Sequence, residues 1–386
     1  MIPIIAIDSA LNSFQGWLVI NIMKIAQITY SGFGGLGSVV FSLINADLDH
    51  EHDWIVGFIG DQPLDDDYRK VCNEMELSHG FFKLKPNKPV GAWIKLYKWL
   101  RSQKPDAVIC HTLNPILACR VFTWIFKIPL IAVEHTSNSV KPRNQKITSF
   151  LAMFLADKIV LLTELYRKEL KSQYGVFFQQ KKVCIIQNGI DLKVFHPEYV
   201  RPVTNNFKIG MAARFTVTKK QEFLIYVLEK IYQLSPNIDL KLSFAGNGSE
   251  FDRVQEVAKN STISSKIIFE GLIDEKSIAP WLRDLNIYVH ASDGETLSTS
   301  ILQSMGCGIP IIASDVSGIN NLLGRGTDLG YCIINDCEIF ASTILKLLID
   351  SDEQIRISQN VRRHAELYCS NNYMLHKYIN LIRSII

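Results

Sequence analysis

The chain has 386 residues, enough for two domains at the usual ~100–200 residues each. Its hydrophobic share of 47% and charged share of 20% exclude a disordered chain and point to a globular protein. A formal charge of +3 argues against nucleic acid as a partner, while leaving room for a local basic surface.

Residues 1–22 are apolar but are interrupted by Asp8, Asn12, Ser13 and Gln15. They lack a basic leader and an unbroken apolar span of about 20 residues, so an N-terminal extension is expected here, not a signal peptide or a crossing helix. From Lys24 onward, short apolar runs alternate with longer amphipathic ones. Strands are expected at 24–30, 54–59, 106–110, 129–133, 158–162 and 183–186. A second series is expected at 207–213, 239–245, 266–270, 286–290, 309–313 and 330–334. Helices are expected between most of them, among them 36–46, 91–103, 115–126, 147–155, 219–234, 275–284 and 336–349. This alternation predicts α/β architecture with parallel sheets covered on both faces.

The rhythm breaks at 187–206, a polar and turn-rich stretch with Pro197 and Pro202. The expected organisation is therefore a domain at 23–190, a linker at 191–206, a second domain at 207–365, and a last helical segment at 366–386. Doubly wound sheets bind ligands beyond the carboxyl ends of their strands. Two such edges facing one another would form a deep cleft. The eight cysteines show no CxxC spacing, and several sit in apolar runs, so reduced, buried thiols in a cytoplasmic protein are expected.

Ser31-Gly32-Phe33-Gly34-Gly35-Leu36-Gly37 follows the first strand and opens a helix, the setting of a phosphate-binding turn. A tight strand-to-helix turn explains the same glycines equally well. Asp65-Asp66-Asp67 reads as a solvated loop, not a metal site, and no metal is expected elsewhere. Arg214 and Lys219 follow strand 207–213, where a guanidinium fork and an ammonium would grip a diphosphate. Lys220 competes with Lys219 for that role. Glu295 is expected near the start of a helix whose free N–H groups around Leu297, Ser298 and Thr299 would point at phosphate oxygens. Gln303 would follow on a neighbouring part of the same face, able to hydrogen-bond a ribose. His111 and His135 each end a strand of the first series, with Glu134 adjacent to His135. Helix 91–103 interleaves Trp93, Lys95, Lys98, Trp99 and Arg101, and Arg120, Trp124, Phe126 and Lys127 lie nearby. Such a surface suits an anionic membrane.

In order and spacing these segments resemble the retaining glycosyltransferase family 4, from about Lys24 to the C-terminus. The Gly34-Gly35 turn is similar to that family's first glycine loop. Asn188-Gly189-Ile190-Asp191, with Phe195 and Pro197, resembles its linker signature. Arg214-Phe215 and Lys219 resemble its diphosphate clamp, and Ala245-Gly246-Asn247-Gly248 its glycine turn. Glu295 to Pro310 resembles its donor motif, except that Gln303 stands where the family usually has a second glutamate. The resemblance implies a GT-B fold: two facing Rossmann-like domains, a cleft between them, and C-terminal helices crossing back. It implies transfer of a sugar, with retention and without a metal or other cofactor, from a nucleotide sugar that is itself a substrate. A UDP-sugar is the commonest donor. His135 and Glu295 would serve the reacting sugar, Arg214 and Lys219 its diphosphate, and Gln303 its ribose. The acceptor would be a glycan or lipid-linked molecule in polysaccharide, lipopolysaccharide or glycoconjugate assembly, at the inner face of a membrane.

Three other readings compete. A nucleotide-sugar epimerase shares the two-domain layout. A non-catalytic, glycosyltransferase-like subunit is favoured by Gln303. An NAD-dependent dehydrogenase would use the glycine turn and Asp61, but leaves Arg214, Lys219 and Glu295 without a role.

Overall fold

The computed structural model describes residues 22–32, 35–85, 88–138, 141–198, 206–324 and 328–386. Residues 1–21 of the expected extension, and Gly34, lie outside them. The first half alternates as β1 (Met23–Tyr30), α1 (Gly35–Asn45), β2 (His52–Gly60), α2 (Asp66–Glu74), β3 (Ser78–Lys83), α3 (Val90–Gln103), β4 (Ala107–Cys110), α4 (Ile116–Phe126), β5 (Leu130–Glu134), α5 (Arg143–Leu155), β6 (Lys158–Leu161), α6 (Glu164–Tyr174) and β7 (Val183–Ile185). Its strands form one parallel sheet in the order β3-β2-β1-β4-β5-β6-β7. Central strands such as Ala107-Val108-Ile109-Cys110 are buried on both faces, so apolar residues run without alternation.

The second half alternates as β8 (Asn206–Ala212), α7 (Gln221–Leu234), β9 (Asp239–Ala245), α8 (Phe251–Asn260), β10 (Ile267–Gly271), α9 (Glu275–Arg283), β11 (Ile287–His290), α10 (Thr299–Gly306), β12 (Ile311–Ser314), α11 (Ser317–Leu323), β13 (Tyr331–Ile333) and α12 (Cys337–Ile349). Its sheet is also parallel, ordered β10-β9-β8-β11-β12-β13. Two helices close the chain, α13 (Ser351–Tyr368) and α14 (Asn371–Arg383).

Both expected strand series are present, and β3 is an addition. Its sequence Ser-His-Gly-Phe-Phe-Lys buries only Phe82 and sits at the sheet edge, so it lacks the apolar run of a central strand. A Cβ at Gly80 would meet the Phe82 ring at 2.8 Å and Trp99 at 3.1 Å, so the glycine admits the α3 indole against the sheet. The Asp65-Asp66-Asp67 run is corrected from loop to helix start. Asp65 caps α2 by accepting from the Asp67 N–H, and the two following carboxylates lie in the first turn, where the helix dipole favours them.

In the first domain, α1, α2 and α14 cover one face of the sheet, and α3 to α6 cover the other. The C-terminal return occurs at a backbone crossing. Ile190 N–H donates to the Cys369 carbonyl at 2.8 Å, and Asn371 N–H donates to the Ile190 carbonyl at 2.9 Å. Up to this point α13 and its C-cap contribute Val361, Ala365 and Cys369 to the second core. Beyond it, α14 contributes Met374, Leu375, Tyr378, Ile379 and Ile382 to the first. Each valine, leucine, isoleucine or methionine among them contributes about 1.5–3 kcal/mol when fully buried. A Cβ at Gly189 would fall 2.6 Å from the Asn371 Cα and 2.7 Å from the Ser370 carbonyl oxygen. Gly189→Ala is therefore expected to cost about 1–3 kcal/mol, read as a lower urea midpoint.

Candidate active site

In each sheet the strand order reverses beside its first strand, between β1 and β4 and between β8 and β11. Ligands of doubly wound sheets bind at this switch point. The ends of these four strands carry Tyr30, His111, Arg214 and His290, and the loop after β5 adds His135.

On the first domain's side, His111 Nε2 lies 2.5 Å from Gln27 Oε1, and His111 Nδ1 lies 2.9 Å from His135 Nε2. Gln27 Oε1 can only accept, so His111 donates from Nε2 and accepts at Nδ1. His135 then donates from Nε2, which leaves its Nδ1 as a bare acceptor. Burial, and then the neighbouring His135, push His111 well below the usual histidine range. Burial and the Lys141 ammonium push His135 down to about 3. Both rings are neutral at physiological pH. Glu134 is not the partner of His135: as strand alternation requires, it points elsewhere, pairing with buried Lys141. Lys141 also donates to Ser149 Oγ at 2.7 Å and to the Tyr166 hydroxyl at 3.1 Å.

On the second domain's side, the loop after β8 is fastened to the loop after β11. Lys220 N–H donates to the Ala291 carbonyl at 3.0 Å, and Asp293 N–H to the Thr218 carbonyl at 2.9 Å. This places the Lys219 ammonium on Glu295 Oε1, and His290 Nε2 reaches the same oxygen at 2.7 Å. Lys220 pairs outward with Asp293 at 2.6 Å, which leaves the inner position to Lys219. His290 is fully buried, and burial together with Lys219 holds it well below the usual range. Being neutral, it donates from Nε2 to Glu295 and turns Nδ1 toward the Tyr288 hydroxyl, 3.2 Å away. Burial and then the Arg214 guanidinium push Lys219 down to about 7.

Glu295 does not lie in a helix. α10 starts four residues later, at Thr299, with Ser298 as its N-cap and no side chain bonded to its first N–H groups. Leu297 therefore precedes the helix, and Gln303, partly buried, stands just over one turn into it. A Cβ at Gly318, in the first turn of α11, would fall 2.2 Å from the Glu295 carbonyl oxygen, so only glycine lets that helix support the loop. Gly246, at φ +133°, does the same for the Arg214 loop, where a Cβ would meet the Ala213 carbonyl oxygen at 2.1 Å.

The two sides meet. Ser137 N–H, two residues past His135, donates to Thr296 Oγ1, one past Glu295, at 2.8 Å. Burial and Asp61, which accepts from the Tyr30 hydroxyl at 2.8 Å, push Tyr30 up to about 12, with the Arg214 charge opposing them. Asp61, the acid a dehydrogenase would turn to ribose, is thus engaged by Tyr30. In the glycine turn, a Cβ at Gly37 would enter the Tyr68 ring at 2.0 Å, whereas one at Gly35 would meet nothing within 4 Å. Gly37 serves packing, and Gly35 leaves the first turn of α1 open. A cavity of about 970 Å³ lined by Arg120, Trp124, Asp157 and Arg383 lies at the amino ends of the strands, the wrong edge for such a ligand.

Gln27, His290, Tyr288 and the Ser137–Thr296 bond were not singled out from sequence. His290 ends a strand as His111 and His135 do, so the same criterion finds it. Gln27 gives no such signal, because a glutamine inside a strand becomes informative only when a partner appears beside it.

Residues 33–194 match the Glycosyltransferase Family 4 profile, and residues 206–350 match Glycosyl transferases group 1. The D-inositol 3-phosphate glycosyltransferase of Paenarthrobacter aurescens is 23% identical over 243 residues, 57% of this chain and 59% of that protein. The N-acetyl-alpha-D-glucosaminyl L-malate synthase of Bacillus anthracis is 21% identical over 247 residues, 63% of this chain and 64% of that one. The chain thus spans about three fifths of the length of these curated relatives. Among solved structures, Anabaena HepE in complex with UDP and glucose superposes with a TM-score of 0.79 at 18% identity, over 94% of this chain and 100% of that one. By profile and fold together, the chain belongs to the family 4 glycosyltransferases of GT-B type.

Proposed function

We propose that this protein transfers a sugar from a nucleotide-sugar donor, a UDP-sugar, to a glycan or lipid-linked acceptor, with retention at the anomeric carbon and without a metal. One observation carries the reading: the loop of Glu295 holds Lys219 on its carboxylate, leads into the uncapped start of α10 and is bonded directly to the loop of His135 on the other domain, with the Arg214 charge acting on Lys219. Cations and N–H dipoles so placed stabilise a departing diphosphate. Glu295 receives both Lys219 and His290 on Oε1, which keeps Oε2 for a sugar hydroxyl. His135 offers Nδ1 to the sugar near the reacting carbon. The acceptor hydroxyl then attacks on the face the phosphate leaves, a step that depends on orientation more than on a strong nucleophile. Gln303 on α10 would hold the ribose by hydrogen bonds without charge. Solved structures of the same fold hold UDP-glucose, which supports UDP as the nucleotide.

Among the described residues, no helix is long and apolar enough to cross a membrane. We place the enzyme in the cytoplasm, in contact with the inner membrane face, in surface polysaccharide or glycoconjugate assembly.

A thermal-shift panel of UDP-, GDP- and ADP-sugars tests the donor, with stabilisation by UDP-sugars expected. The best donor is then offered to acceptors while nucleotide release is followed. Arg214→Ala is expected to slow release about tenfold, with circular dichroism unchanged because Arg214 is exposed. Unchanged release would remove Arg214 from the clamp. Donor binding without transfer would identify a binding subunit, and a sugar product without acceptor an epimerase.

A further inference from the structure

Helices α3, α4 and α5 pack side by side on one face of the first sheet. None of the three contains an aspartate or glutamate. They expose Lys95, Lys98 and Arg101 on α3 and Arg143 and Lys146 on α5, while Arg120 on α4 is bound to Asp157. Toward the sheet, α4 buries Ile116, Cys119, Phe122 and Thr123. Away from it, where a surface helix ordinarily carries charge, it presents Leu117, Val121 and Trp124 to solvent, spaced i, i+4, i+7. Helix α5 repeats the arrangement: Ser149, Ala152 and Met153 face inward, and Ile147, Leu151 and Phe154 outward. Trp124 is 72% exposed, the opposite of what an indole seeks in water.

Two neighbouring apolar stripes on helices that carry cations and no acids fit a partner that is apolar in depth and anionic at its surface. A second copy of the same face fits poorly, because it would set cation against cation. We infer that this face rests on an anionic lipid bilayer, with the two stripes in the headgroup–acyl boundary and the flanking cations at the phosphates. Helices α4 and α5 both follow the carboxyl ends of their strands, so each stripe starts at the cleft edge. The mouth of the cleft is thereby held beside the lipid. The inference rests on the proposed function only for what the enzyme meets there, a lipid-linked acceptor; the docking itself is tested without activity.

The test is co-sedimentation of the full chain with phosphatidylcholine vesicles and with phosphatidylcholine–phosphatidylglycerol vesicles. Binding is expected to the mixed vesicles, with a blue-shifted tryptophan emission that Trp124→Phe reduces and a steep fall with added salt. V121E/L151E alters two exposed positions, one on each stripe, and is expected to weaken binding roughly tenfold or more, while UDP still stabilises the variant in a thermal shift. K95E/K98E is expected to weaken binding to the mixed vesicles alone. Wild-type protein that ignores the mixed vesicles, or equal binding by V121E/L151E, would overturn the inference. So would light scattering that showed the wild type to be a dimer and V121E/L151E a monomer. Transfer to a soluble acceptor without vesicle binding would sink the docking face and the membrane contact, and leave the proposed sugar transfer standing.

Discussion

Lys219→Met is expected to lower the turnover of the nucleotide-sugar donor by on the order of 10²–10³-fold, the usual cost of losing one preorganised donor at a developing anion. Methionine fills the volume of the lysine stem, so the loop held by the Lys220–Ala291 and Asp293–Thr218 backbone bonds should persist. What disappears is the ammonium on Glu295, one of the two cations proposed to grip the diphosphate. Stopped assays of nucleotide release at saturating donor read the effect, and a loss below about threefold would remove Lys219 from the leaving-group site.

The same residue predicts a pH dependence. Burial and then Arg214 depress Lys219, to about 7. The pyrophosphate diester of a nucleotide sugar is fully ionised throughout this range, so Lys219 supplies the titration. An incoming diphosphate favours the charged ammonium, so binding takes up a proton once the free enzyme has lost it. Donor affinity is therefore expected to be highest below the Lys219 pKa and to fall as pH rises through it, by at most about tenfold per pH unit. Lys219→Arg, always charged, is expected to flatten the profile. A wild-type donor KM that stays level from neutral into the ordinary lysine range would refute the depressed lysine.

His135→Ala is the second large effect, on the order of 10² in turnover if the imidazole orients the sugar, since small misplacements at a reacting centre cost that much. Because His135 is held neutral, with a pKa near 3, activity should show no acid limb in the histidine range. A limb at the ordinary histidine value that vanishes in the variant would make His135 a proton-transfer group instead.

Stability should nevertheless fall in acid. His111 and His290 are buried and titrate well below 6.5 when folded, so below about 6.5 the unfolded chain binds more protons and stability declines with falling pH. Each contributes a slope of about 1.4 kcal/mol per pH unit between its unfolded and folded values. His135, pushed down to about 3 by burial and Lys141, acts in the same direction. Urea midpoints at successive pH values below neutral measure the decline.

The alternation of strand and helix, the break near residue 190 and the family motifs were legible in the sequence because each is local. A strand buried on both faces must be apolar, a turn needs its glycine, and a clamp needs its cations beside a strand end. The sequence also singled out Arg214, Lys219, Glu295 and His135 as candidates, each within a few residues of such a signal, and the structure sets them at the facing strand ends. It placed Glu295 on the helix that begins only at Thr299, because a local pattern does not mark where a loop yields to helix when no side chain caps it. Partner choice depended on the tertiary structure. That His135 pairs with His111 and not with Glu134 follows from the neighbouring strand ends of one sheet, that His290 stands behind Glu295 from the path of the loop after β11, and that Ser137 reaches Thr296 from the facing of the two sheets. Hydrogen bonds between residues 24 and 159 positions apart share one cause: parallel topology gathers strand termini on one edge, and the crossing at Ile190 and Ser370 turns two such edges face to face.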